Sequence, residues 1–168
     1  MKYSDKYMHC GDFLIETLHV AISEIKSILN NIEWNSEFSI KIDNHEFTNQ
    51  RAYNKAFEQE FNARGWELQP KLNESPKLIG DFRKNLVFVE VQFGNSSTLY
   101  RDFYKFQYGL QNGLLSLAVL IVPYNENEFF PTRRESVINM ANYILAERYF
   151  SVLPISVPTW LIGLLPES

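Results

Sequence analysis

The sequence predicts a mixed α/β domain in which a central mixed β-sheet carries α-helices on its faces. Three observations predict it. Helical and strand periodicities alternate along the chain in the order α-β-α-β-β-α-β-α-β. Two apolar runs, "LLSLAVLIV" (114–122) and "VPTWLIGLL" (157–165), have the length of buried strands. With 168 residues, 45% of them hydrophobic and 15% aromatic, the chain has material for one packed core and fits a single domain, 1–168.

The elements follow in order. Leu14, Leu18, Ile22, Ile25, Leu29 and Ile32 repeat at helical spacing, so residues 12–33 read as an amphipathic helix with Asp12 as N-cap. "FSIKI" (38–42) alternates as a short strand, with "DNHE" as turn material behind it. Thr48 or Asn49 caps a second helix that runs to Arg64 and stops at Gly65. Residues 68–80 are polar, hold two prolines and read as a loop. A hairpin over 80–93 comes next. Ser96 or Ser97 caps a helix to Asn112, ended by Gly113. The first apolar run, a loop over 123–132, a helix over 133–150 and the second apolar run complete the chain.

Composition excludes several classes. No apolar run reaches the ~18 residues of a membrane span, and the first residues lack the apolar centre of a secretory signal. Cys10 is the single cysteine, so no intrachain disulfide forms; a soluble cytoplasmic protein is the expectation. His9, His19 and His45 have no metal-site spacing with Cys10. There is no Gly-rich phosphate loop and no G-x-S-x-G. Net charge is −4, yet residues 51–110 carry nine basic against seven acidic side chains, a positive surplus around the hairpin.

That hairpin, "GDFRKNLVFVEVQF", carries the chemistry. Side chains alternate along a strand, so Val87, Val89, Val91 and Phe93 form one apolar face. Leu86, Phe88, Glu90 and Gln92 form the other, which turns from apolar to polar along its length. A turn at Lys84-Asn85 would pair Arg83 with Leu86 and Asp81 with Phe88, setting Asp81 diagonal to Glu90. Two converging carboxylates repel unless a proton or cation lies between them. Mg²⁺ uses one or two carboxylates plus waters and phosphate oxygens. Glu60, on the neighbouring helix, is a candidate third carboxylate. The alternative is a half-exposed strand with Glu90 paired to Arg83.

"DFRKNLVFVEVQFGNSS" resembles the active-site hairpin of BglII-type restriction endonucleases, a branch of the PD-(D/E)xK nucleases. The matching residues are Asp81, Glu90 and Gln92 within E-V-Q-F. "AFEQEFNARGW" (56–66) resembles the preceding helix, and "VPTWLIGLLPE" (157–167) the family's ending, so the likeness covers about residues 48–165. It implies a restriction-endonuclease-like fold and a homodimeric, Mg²⁺-dependent enzyme. Such an enzyme hydrolyses a phosphodiester in each strand of a short palindromic duplex site, often with a GATC core and 5′ overhangs. Asp81, Glu90 and the Val91 carbonyl would hold the metal. Gln92 would take the place of the superfamily's lysine and position the attacking water. Usual members are longer than this chain, and "GNSST" (94–98) does not identify the site.

DNA contacts have candidates of two kinds. Asn95 can read an adenine edge, and Ser96 or Ser97 a base or phosphate; the same residues also suit a turn and a helix cap. Arg101 and Lys105, four apart on a helix, can hold phosphates or lie on a solvated face. Lys55, Lys84, Arg133 and Arg134 are further basic candidates. Two other functions fit the residues: a non-cleaving DNA-binding or dimerisation module, and a one-strand-nicking subunit of a hetero-oligomer.

Overall fold

The computed structural model describes residues 1–132 and 139–166, and the reading of Arg133 and Arg134 lies outside them. The chain runs β1 (Tyr3–Met8), α1 (Asp12–Thr17), α2 (His19–Asn31), β2 (Ser39–Ile42), β3 (His45–Thr48), α3 (Gln50–Ala63) and β4 (Glu67–Leu68). It continues through β5 (Lys71–Asn73), β6 (Leu78–Ile79), β7 (Phe82–Lys84), β8 (Val87–Val91) and α4 (Thr98–Gln111). It ends with β9 (Leu117–Pro123), α5 (Glu126–Phe129), α6 (Tyr143–Val152) and β10 (Thr159–Leu164).

The mixed sheet has the order β1-β10-β9-β8-β7-β4. Its centre, β8-β9-β10, is parallel, and every residue of β9 and β10 is buried. Helices cover both faces of parallel strands, which is why these strands read as unbroken apolar runs. Strict alternation sorts the two cores. Val87, Val89, Val119, Ile121 and Trp160 pack with Ile25 and Leu29 of α2 and Phe57 and Phe61 of α3. Phe88, Leu120 and Leu161 pack with Leu99, Phe103 and Phe106 of α4 and Ala146 and Phe150 of α6.

Several elements depart from expectation. The first helix is kinked at Leu18, where φ is −98° and ψ 13°; just before it the Thr17 hydroxyl donates back to the Phe13 carbonyl at 2.7 Å, a contact that bends helices. Asp12 is the first helical residue, and Gly11 holds the cap position. Asn49 and Ser97 hold theirs without a side-chain cap bond. Gly65 and Gly113 stop α3 and α4 at φ +71° and +66°, as expected. Phe38 belongs to a short 3-10 turn rather than the strand. Asp43 and Asn44, both at positive φ, join β2 to β3, so part of "DNHE" is strand. The 68–80 loop contains the β5-β6 pair, and the 123–132 loop contains α5, whose end buries Phe129 and Phe130. The last helix begins only at Tyr143, after Asn142 accepts the Leu145 N–H at 2.8 Å. The sequence reading missed β1 altogether.

Candidate active site

The β7-β8 hairpin pairs Phe82 with Val89, Arg83 with Phe88 and Lys84 with Val87. The turn is therefore Asn85-Leu86, one residue later than expected. Asn85 takes φ 52°, a left-handed conformation that asparagine tolerates, and Leu86 is left exposed while Val87 is buried. The pairing shifts by two residues, so every face is preserved. Asp81 moves from a diagonal position to one rung past the ladder, across from Glu90.

Gly80 makes this placement possible. A Cβ there would stand 2.0 Å from Phe88 Cζ, so only glycine lets the chain cross the ring before Asp81. Asp81 Oδ2 then accepts the Val91 N–H at 2.8 Å. In an extended strand a residue's N–H and C=O leave on the same edge, so the Val91 carbonyl also faces Asp81. Asp81 and Val91 line a cleft of about 290 Å³ together with Asn54 and Glu58 of α3.

Glu90 lies behind that rim, 3% exposed, on the face covered by α4. Lys105 Nζ donates to Glu90 Oε1 at 2.6 Å and to the Ile79 carbonyl at 3.2 Å, and pairs with Asp102 Oδ1 at 2.9 Å. Gln92 Nε2 donates to Asp102 Oδ2 at 2.8 Å, and its Oε1 accepts the Gly94 N–H at 2.8 Å.

Burial, then the neighbouring Asp81 charge, raises the Glu90 carboxyl well above its ordinary 4.5, although Lys105 opposes this. Burial likewise raises Asp81, against the pull of the Val91 N–H and Lys105. Burial alone would lower the Lys105 ammonium, but Glu90 and Asp102 outweigh it and raise the group overall. Asp81 and Glu90 stand near enough that the Asp81 charge is the second cause of the upward shift at Glu90. Three carboxyl groups, Asp81 on the rim and Glu90 and Asp102 behind it, thus act on one ammonium, and the unbalanced charge favours a proton or a cation.

Four expectations need correction. Glu60 does not reach the cleft; it pairs with Arg64 at 2.6 Å, and Glu58 faces Asp81 instead. Lys105 is not on a phosphate-holding surface beside Arg101: it is 4% exposed, whereas Arg101 is exposed, because the apolar stripe of α4 turns it inward. Lys84 sits at the turn end of the hairpin, paired with Glu24 at 2.8 Å and donating to the Arg64 carbonyl at 3.0 Å. Glu90 pairs with Lys105 and Arg83 with Glu67, so the Glu90–Arg83 alternative is also replaced. Asn95, Ser96 and Ser97 form a turn after β8, where Asn95 Oδ1 accepts the Ser97 N–H at 2.9 Å. Asn95 also bridges to Met140, and the Ser96 N–H donates to the Asn139 carbonyl at 2.6 Å. Asp102 went unread. Its signal was a carboxylate at position 102 within the Leu99, Phe103, Phe106 stripe.

The family model described as restriction endonuclease BglII/BglIII matches residues 4–164. The chain belongs to the BglII/BglIII restriction endonuclease family. Members are DNA-cleaving hydrolases, and Asp81, Glu90 and Gln92 lie within the matched residues. The crystal structure of BglII complexed with a DNA 16-mer superposes with a TM-score of 0.78 and 18% identity, covering 100% of this chain and 78% of that one. Free BglII gives 0.67 at 18% identity, covering 99% of this chain and 81% of that one. At such identity these structures establish the restriction-endonuclease fold. A search of the curated proteins found no match. Among the described residues no helix is long and apolar enough to cross a membrane.

Restriction endonucleases of this kind generally use a divalent metal, and the residues fit one. Among the described residues no three His, Cys, Asp or Glu side chains converge on a point. The donors available are two carboxylates and one carbonyl, all oxygen, the sparse set a hydrated Mg²⁺ takes.

Proposed function

We propose that this chain is a type II endonuclease that, with Mg²⁺, hydrolyses one phosphodiester in each strand of a short palindromic duplex. The observation that carries the proposal is Asp81 on the cleft wall, holding the Val91 N–H, with buried Glu90 directly behind it, in a chain of the BglII/BglIII family. Asp81, Glu90 and the Val91 carbonyl would hold the metal, which when bound acidifies water and neutralises charge on the phosphate. Gln92 Oε1 keeps a lone pair beyond its Gly94 bond and would orient the attacking water by accepting a hydrogen bond from it. Asn95, Ser96 and Ser97, at the end of the same strand, face the base edges, and exposed Arg101 contacts phosphate. In this reading Lys105 serves DNA binding only through Glu90.

Cutting both strands of a palindrome calls for two copies of the site related by a twofold axis. A homodimer is supported by exposed Tyr100 and Tyr104 on α4 and Ile144 and Val152 on α6, each pair repeating along one helix face in the same layer. A GATC-core palindrome, cut to leave 5′ overhangs, is the first sequence to test, and the free thiol of Cys10 fits a cytoplasmic setting.

The test incubates purified protein with plasmid DNA rich in short palindromes, with Mg²⁺ or with EDTA. Discrete fragments only with Mg²⁺ are expected, and sequencing their ends gives the site. Intact DNA across plasmids that together contain every six-base palindrome would overturn the proposal. Nicked circles alone would mark a one-strand subunit.

A further inference from the structure

We propose that Asp102 is a positioning residue for cleavage: its two oxygens hold the Gln92 amide and the Lys105 ammonium, and through them orient the water-binding oxygen and anchor Glu90. The inference rests on the nuclease reading and goes beyond it, because Asp102 lies outside the hairpin and touches neither cleft nor metal position.

The geometry is a continuous series of contacts, Gly94 to Gln92 to Asp102 to Lys105 to Glu90. An ionised carboxylate only accepts, and a backbone N–H only donates. Gln92 stands between one of each, Asp102 Oδ2 at 2.8 Å and the Gly94 N–H at 2.8 Å. Its amide therefore has one orientation, with nitrogen toward α4 and oxygen toward the loop that begins at Gly94. Close approach depends on Gly94, where a Cβ would come within 2.7 Å of Gln92 Oε1. On the other side, the Lys105 ammonium donates to Glu90 and the Ile79 carbonyl and is ion-paired with Asp102. Lys105 is 4% exposed and surrounded by these three oxygens, so the ammonium is committed to holding Glu90 Oε1.

A purely structural role explains this less well. Asp102 is 2% exposed within the apolar stripe of α4, where an apolar side chain would pack without the cost of burying charge. Instead the carboxylate reaches two neighbours, one a member of the Asp81, Glu90, Gln92 set and the other bound to a second member.

The deciding variants exchange the partners. Asp102→Asn keeps the shape but offers one oxygen and one NH₂, so it meets either Gln92 or Lys105 donor to donor. Gln92→Glu alone sets carboxylate against carboxylate. In the double variant the new amide at position 102 donates to the new carboxylate at position 92 and still accepts from Lys105. That carboxylate in turn accepts the Gly94 N–H. Single-turnover cleavage of a plasmid that the wild type linearises with Mg²⁺ is measured beside DNA affinity and thermal unfolding. Each single variant should lose about 100-fold in cleavage rate, the scale of a small misplacement near the chemistry, with affinity unchanged. The double variant should recover at least about tenfold over Asp102→Asn. If Asp102→Asn does not fold, the folded double variant decides alone by cutting within about tenfold of wild type. Wild-type rates in Asp102→Asn, or a folded double variant no faster than it, would overturn the inference while the nuclease reading stood. A wild type that cuts no plasmid would overturn both.

Discussion

The two ends of the β7-β8 hairpin hold the same chemical pair in different surroundings. At the turn end, Lys84 meets Glu24 at 2.8 Å with side chains 29% and 28% exposed. At the open end, Lys105 meets Glu90 at 2.6 Å with side chains 5% and 4% exposed. The first pair keeps water on both partners and is worth little. The second has lost its water, so every nearby charge acts through a weaker dielectric and removing a partner strands a buried ion. Distance alone does not distinguish a surface tie from a site able to hold a cation. Burial and the count of charges do.

The largest expected effect is on chemistry. Asp81→Asn leaves an oxygen for the Val91 N–H but removes one of the two carboxylates proposed to hold the cation. Cleavage should vanish while thermal unfolding stays at or above the wild-type midpoint, since like-charge repulsion with Glu90 is relieved. Full activity would detach Asp81 from the metal.

Next in size is Lys105→Met, which leaves Glu90 and Asp102 buried without their ammonium. Urea unfolding at neutral pH should show a loss of about 3–5 kcal/mol. A cost no greater than that of the turn-end pair would erase the contrast between the two ends.

A third expectation concerns pH. Glu90 and Asp81 are raised in the folded chain above ordinary values of 4.5 and 3.8, so between each ordinary value and its raised one the folded state binds more protons than the unfolded. Their contribution to stability is whole below the ordinary values and is lost as pH rises through the raised ones. Unfolding midpoints should therefore fall from mildly acidic to neutral pH, and Mg²⁺ should restore them there by binding the folded state. A midpoint indifferent to Mg²⁺ at neutral pH would count against a cation at the rim. The smallest effect belongs to Glu24→Gln, about 1 kcal/mol for a pair still reached by water, with cleavage unchanged in the same plasmid assay.

By itself the sequence determined whatever depends on near neighbours along the chain. Alternation fixed which of Val87, Phe88, Val89 and Glu90 share a face, helical spacing fixed the stripes of α2, α3 and α4, and Gly65 and Gly113 marked the ends of α3 and α4. The D-x8-E-x-Q spacing singled out Asp81, Glu90 and Gln92, and an even shift of register left their faces intact. Only the tertiary structure decided what depends on elements meeting across space. β1 reads as a polar segment, "YSDKYM", and becomes a strand because β10 offers it an edge along which Tyr7 stacks on Trp160 and Asp5 accepts the Trp160 indole N–H. Glu58 rather than Glu60 faces the cleft because the packing of Phe57 and Phe61 sets the rotation of α3. The pairing of Lys105 and Asp102 with Glu90 and Gln92 joins residues 10 to 15 apart on a strand and a helix, and no spacing rule links the two. In each case the neighbour is chosen by docking of whole elements, and for Glu90, Asp102 and Lys105 a buried charge is tolerable only beside such a partner.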